Sequence, residues 1–203
     1  MSNIIYTFGV MKIDYIKEAF NDQPVVMVSG KKYCINPLTD HVPITKPELL
    51  QQVVNEISII VDFESADFLV GEEDRGGYIC ALTAFAVGKP FTLTKWNPSG
   101  FEGEVCIDFR NSYTHGNLYL NGIKELAGKK AIIVEDLIDT GGTIVSMVNL
   151  LRANNIEVVD IVAVAEKTDY SGAERIKKET GITPKFLVSF SSKKELSKVI
   201  KRI

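Results

Sequence analysis

The chain has 203 residues, 45% of them hydrophobic and 24% charged, as expected of a soluble globular protein with a substantial core. Its formal net charge of −3 lacks the basic excess that nucleic-acid binding calls for, and no apolar run approaches the ~20 residues of a membrane span. Three widely spaced cysteines, no CxxC pair and only two histidines argue against a disulfide framework and a zinc site.

In chain order, Lys12 to Phe20 is predicted as a short helix, with charges at Lys12 and Asp14 that break any signal-peptide pattern. Together with reduced cysteines this makes a cytoplasmic protein the expectation. Val25–Val28 and Lys32–Ile35 read as a strand pair turned at Ser29-Gly30. After a proline-rich loop, Glu48 to Ile60 has the apolar spacing of an amphipathic helix. From there strands and helices alternate. Phe68–Val70 is a strand, Tyr78–Val87 a helix, and Phe91–Thr94 a strand. Trp96 to Gly116 is mostly polar and irregular, followed by a short strand at Leu118–Leu120. Ala131–Val134 is a buried strand, and the residues around Val145 to Leu151 are a helix. Val158–Ala165 is a strand, Ser171–Glu179 a helix, Phe186–Val188 a strand, and Lys193–Ile200 a final helix with a solvated basic face.

Alternation of this kind predicts an α/β fold: a central parallel sheet flanked by helices. Ligands bind beyond the carboxyl ends of such strands. The loops 71–77, 135–143 and 166–170 all follow strands, so they should converge on one rim.

The richest of them is Glu135-Asp136-Leu137-Ile138-Asp139-Thr140-Gly141-Gly142-Thr143. A strand, a glycine turn and a helix N-terminus build an anion site, with Thr140 and Thr143 adding hydroxyl donors. Glu135 and Asp136 repel a phosphate, but they can accept hydrogen bonds from sugar hydroxyls or hold magnesium. A phosphate site beside a diol site describes a ribose 5-phosphate. Neither GxGxxG nor GxxxxGK[ST] is present.

Residues 131–143 resemble the phosphoribosyl-pyrophosphate (PRPP) motif of type I phosphoribosyltransferases: hydrophobics, two acids, a spacer, then Thr-Gly-Gly-Thr. The resemblance implies that Glu135 and Asp136 hold the ribose hydroxyls and that Asp139 to Thr143 wrap the 5-phosphate. The turn Glu73-Asp74-Arg75-Gly76-Gly77 resembles the family's diphosphate loop, which implies diphosphate binding by Asp74, Arg75 and Gly76, with a cis peptide at or near Asp74-Arg75. Lys95 matches a basic residue that the family directs at the diphosphate, and Ser112-Tyr113 echoes a pair in the lid of hypoxanthine-guanine enzymes. The same resemblance implies one domain over residues 1–203, with a small N-terminal hood at about 1–47, a core at about 48–203 and a flexible lid loop at about 96–116. It also implies a homodimer using Mg2+ carried by PRPP and within reach of Glu135 and Asp136, with PRPP and a purine base as substrates.

For the base, a 6-oxopurine wants a donor opposite its oxygen and adenine an acceptor. Lys167 is a donor and matches the lysine of 6-oxopurine enzymes. Asp139 matches an acid that those enzymes place beside purine N7, where it can move a proton. The stretches 35–43 and 116–122 look like the adenine-type branch, so the whole resembles the archaeal-type hypoxanthine/guanine subgroup within it. Adenine, xanthine or a pyrimidine as the base, and a PRPP-sensing regulator without catalysis, stay open as alternatives.

Overall fold

The computed structural model describes residues 13–110 and 115–203. Asp14 opens the first helix: its side chain accepts the Lys17 N–H at 3.0 Å, and α1 spans Tyr15–Phe20, shorter than its apolar spacing predicts. The predicted hairpin follows as β1 (Val25–Val28) and β2 (Lys31–Cys34), paired antiparallel. Next come α2 (Pro47–Ile60), β3 (Phe68–Glu72), α3 (Arg75–Val87) and β4 (Phe91–Thr94). Helix α3 starts three residues before the predicted Tyr78, so Gly76 and Gly77 lie in its first turn.

The stretch expected to be an irregular loop contains most of an antiparallel hairpin, β5 (Val105–Arg110) and β6 (His115–Leu120). Alternation in Val105-Cys106-Ile107-Asp108 and in Leu118-Tyr119-Leu120 is what supports it: Leu118 and Leu120 are buried, and Val105 and Ile107 pack on the same core. Ser112 and Tyr113 lie outside the described residues. Then come β7 (Lys130–Ile138), α4 (Gly142–Ala153), β8 (Glu157–Lys167), α5 (Gly172–Thr180), β9 (Lys185–Ser191) and β10 (Lys198–Arg202).

Strands order as β10-β9-β8-β7-β3-β4, with β10 antiparallel to β9 and the rest parallel. Alternate residues of β7 feed two cores. Ile132 and Val134 face a core with α1, α2 and α3, while Ala131 and Ile133 face one with α4 and the β5–β6 hairpin. Both faces are covered, as a central parallel strand requires.

The predicted terminal helix is instead strand β10. Leu196, Val199 and Ile200 have helical spacing, but the extended chain finds better backbone partners. Residues 195–197 pair with residues 22–25, and Val199 pairs with Phe190 of β9. Ser197 is buried and its hydroxyl donates to the Phe20 carbonyl at 2.8 Å. Arg202 then ties three segments together. It donates from Nε to both Asp14 oxygens at 3.1 Å, and from a terminal nitrogen to both Glu56 oxygens at 2.6 Å. The exposed Lys198 and Lys201 leave this edge strand charged, which disfavours further pairing.

Candidate active site

The chain runs from β3 outward to β4, then returns to place β7 on the other side of β3 and to build β8 and β9 beyond it. The order therefore reverses between β3 and β7, and a cleft opens at their carboxyl ends. The three predicted loops do meet there: Asp74, Arg75, Glu135, Asp136, Asp139, Thr140, Gly141, Gly142, Thr143 and Lys167 all line it.

The two carboxylates are not at the end of β7 but inside it, because the strand continues to Ile138. Hydrogen bonding to β8 persists along this segment, pairing Glu135 with Ala163 and Leu137 with Ala165. Asp139 to Gly141 then make the turn, and α4 begins at Gly142 with its first N–H groups toward the cleft. The turn is clamped from behind by α5. A Cβ at Gly172 would stand 2.2 Å from the Asp139 carbonyl oxygen, and one at Gly141 would stand 2.7 Å from the Gly172 oxygen. Only glycine at both positions allows this approach.

The turn after β3 is equally close to β7. A Cβ at Gly76 would meet Glu135 Oε2 at 2.1 Å, so Gly76 braces Glu135 rather than lining the cleft. The Asp74-Arg75 peptide is trans, against expectation; the bend is made by the backbone of Asp74 (φ −80°, ψ −102°) and held by its N–H donating to Glu72 Oε1 at 2.7 Å. Lys95 is likewise not at the cleft. Its N–H and carbonyl pair with Tyr119 at the foot of the hairpin, and it is not among the residues lining the cleft.

Arg75 reaches the cleft from the first turn of α3. Its guanidinium lies 3.6 Å from Asp40 and 5.0 Å from the centre of the Tyr33 ring, both in the N-terminal segment. Tyr33 also donates its hydroxyl to Asp40. Lys167, at the end of β8, is almost fully buried; its Nζ donates to the Lys32 carbonyl at 2.6 Å and lies 4.9 Å from the Tyr170 ring centre. Burial pulls its pKa down, while Asp139 and Asp169 pull it up. Asp139 thus favours the charged form of Lys167, and both line the cleft.

Sequence reasoning missed Glu72, Trp96 and Tyr33, which also line the cleft. Glu72 sits inside the acidic run Glu72-Glu73-Asp74, where nothing local says which carboxyl turns inward. Its exposure is only 6%. Burial pushes it up to about 7, against the hydrogen bonds from the Asp74 N–H and Trp96. Burial also pushes Asp136 up to about 6, with Arg75 pulling it back, and raises Glu135 well above the carboxylate range.

These shifts fix the sign of a pH dependence. Each carboxyl holds its proton more tightly folded than unfolded. The resulting stabilisation is complete below the ordinary carboxylate pKa of about 4 and is lost as pH rises through about 6 to 7. The melting temperature of the ligand-free protein should therefore fall across that interval, and Glu72→Gln should make the decline shallower. A profile unchanged by Glu72→Gln would remove Glu72 from this account.

Among the described residues no three His, Cys, Asp or Glu side chains are grouped to hold a metal ion. The donors at hand are hard carboxylate oxygens, of which Glu135 Oε1 already accepts the Glu72 N–H at 2.9 Å. Such a set fits a magnesium ion that brings most of its own shell with it. No helix of the described residues is long and apolar enough to cross a membrane.

An anion-binding turn beside paired acids, at the switch point of a doubly covered parallel sheet, defines a class of proteins that hold a phosphorylated ribose. Residues 44–195 match the model of the phosphoribosyl transferase domain, and the chain belongs to that family. The hypoxanthine/guanine phosphoribosyltransferase of Methanocaldococcus infernus is 35% identical over 173 residues, 85% of this chain and 92% of the relative. The enzyme of the same name from Methanopyrus kandleri is also 35% identical, over 85% of this chain and 90% of its own length. The crystal structure of adenine phosphoribosyltransferase from Thermoanaerobacter pseudethanolicus superposes with a TM-score of 0.73 at 20% identity, over 86% of this chain and 98% of that one. That likeness gives the fold: the type I phosphoribosyltransferase α/β architecture.

Proposed function

We propose that the protein transfers the 5-phosphoribosyl group of PRPP to hypoxanthine or guanine, releasing diphosphate and a nucleoside 5′-monophosphate. The observation that carries the reading is the meeting of Asp139 and Lys167 on the cleft that the PRPP-type turn also lines. Relatives 31–35% identical that bear the hypoxanthine/guanine name support the base, and a similar fold from Trypanosoma brucei (TM-score 0.68) is described in complex with AMP, pyrophosphate and ribose-5-phosphate.

Thr140 to Thr143 and the α4 N-terminus would hold the 5-phosphate, and Asp136, with Glu135 behind it, the ribose hydroxyls. Arg75 and the turn at Asp74 would take the diphosphate, whose arrival replaces Asp40 as the partner of the guanidinium. Glu135 and Asp136 would hold a magnesium ion brought in by PRPP, which when bound supplies positive charge beside the diphosphate. As purine N9 bonds to C1′ of the ribose, the C1′–oxygen bond to diphosphate breaks. Asp139 would then carry the proton at N7 while Lys167 donates to the 6-oxo group.

The N-terminal segment, through the Lys32 carbonyl and Tyr33, would form the hood over the base. The β5–β6 hairpin would be the lid that excludes water. A cytoplasmic homodimer is part of the reading, and α3 offers solvent-facing Leu82 and Phe85, the latter 88% exposed. Spectrophotometric assay of adenine, hypoxanthine, guanine, xanthine and uracil with PRPP and magnesium tests the assignment. Turnover of hypoxanthine and guanine is expected; turnover of adenine alone would overturn the choice of base, and no turnover of any base would favour a PRPP-sensing regulator.

A further inference from the structure

Two carboxylates of the turn after β3 converge on one residue outside it. Trp96 stands where the chain leaves β4 for the β5–β6 hairpin. Its backbone N–H donates to Glu73 Oε1 at 2.7 Å, and its indole N–H donates to Glu72 Oε1. The same Glu72 oxygen accepts the Asp74 N–H at 2.7 Å. The Glu72 N–H in turn donates to Glu135 Oε1 at 2.9 Å. Trp96 packs with Val105 and Ile107 against the core beneath the hairpin.

A buried carboxylate is costly where a neutral acceptor would do, and this one has Asp74 and Asp136 close by. Its place is explained by what it joins. One oxygen shared by a donor on the turn and a donor at the hairpin root moves only if both move. A second attachment, Glu73 to the Trp96 backbone, keeps the indole aimed at Glu72.

We propose that Glu72 is a positioning residue that ties the diphosphate-binding turn to the root of the β5–β6 hairpin through Trp96, so that occupancy of the turn sets the position of the hairpin. This rests on the reading of the turn given under Proposed function. Glu72 acts here through its neighbours rather than on the substrate. It converts a shift of the Asp74 N–H, part of the turn that would hold the diphosphate, into a shift of the indole and of the strand that follows it.

Trp96 is the only tryptophan in the chain, so its emission reports on this joint directly. Magnesium diphosphate is the probe, with binding followed by calorimetry and emission read at saturation. The native protein should bind and change its emission. Glu72→Ala should bind and show no emission change, whereas Glu72→Gln, which keeps the shared acceptor, should restore it. An undiminished change in Glu72→Ala, a Gln variant as silent as Ala, loss of binding in Glu72→Ala, or a native protein that binds with unchanged emission would each overturn the inference alone. A native protein that binds no diphosphate would overturn the functional reading and this inference together. If Glu72→Ala fails to fold, Trp96→Phe keeps an aromatic side chain, though a smaller one, and removes the donor. Its kcat should fall roughly tenfold with the KM for PRPP nearly unchanged; an unaltered kcat would overturn the proposal.

Discussion

Asp139→Asn should bind PRPP almost as well as the native protein and turn over about 10²- to 10⁴-fold more slowly, the usual worth of a positioned proton carrier. Two features of the structure separate those effects. The backbone of the turn is fixed by packing, with the Asp139 carbonyl lodged against Gly172 and Gly141 lodged against the Gly172 oxygen. The shape that wraps the 5-phosphate therefore does not depend on the Asp139 carboxyl. The carboxyl, by contrast, lies near enough to favour the charged form of Lys167, and both residues line the cleft where the base would lie. An amide there is close to isosteric and can still hydrogen-bond, but it cannot take or give a proton near neutral pH. Parallel measurement of kcat and of PRPP affinity decides the matter. Equal losses in both would make Asp139 part of the phosphate cradle and remove it as the proton carrier.

The cleft was readable because most of its parts come from short contiguous stretches. Asp139 to Thr143 carry their chemistry in residue type and spacing, and so does the alternation of strands and helices that brings three loops to one rim. What stayed hidden depends on residues far apart in the chain. Helical spacing in Leu196, Val199 and Ile200 says nothing of the partners waiting in residues 22–25 and in β9. The hairpin β5–β6 was masked by polar residues on its exposed side, and only its inward alternation marks it. Lys95 matches a basic residue that the family directs at the diphosphate, yet its backbone bridges to Tyr119 of the hairpin. Glu72 is the sharpest case. Within the run Glu72-Glu73-Asp74 nothing local singles out Glu72, and only the tertiary fold brings Trp96 to it.

Lys167→Ala should cost hypoxanthine and guanine far more than it costs adenine. The lysine has two roles, and they predict different signatures. Its Nζ donates to the Lys32 carbonyl at 2.6 Å, which ties the N-terminal hairpin to the end of β8. Loss of that bond loosens the hood and lowers kcat/KM for every base alike. Its remaining donors are available to a 6-oxo group, and only bases with that group lose them. The surroundings of the ammonium favour this second role. Burial lowers the pKa while Asp139 and Asp169 favour the charged form, which is the stronger donor. A charge-assisted hydrogen bond of about 1.5–3 kcal/mol corresponds to a loss of roughly ten- to more than a hundredfold in the ratio of hypoxanthine to adenine kcat/KM. The ratio, not either rate, is the quantity to measure, because the hood contribution cancels in it. If both bases fell by the same factor, Lys167 would serve the hood alone, and base choice would have to reside in the backbone at the end of β8.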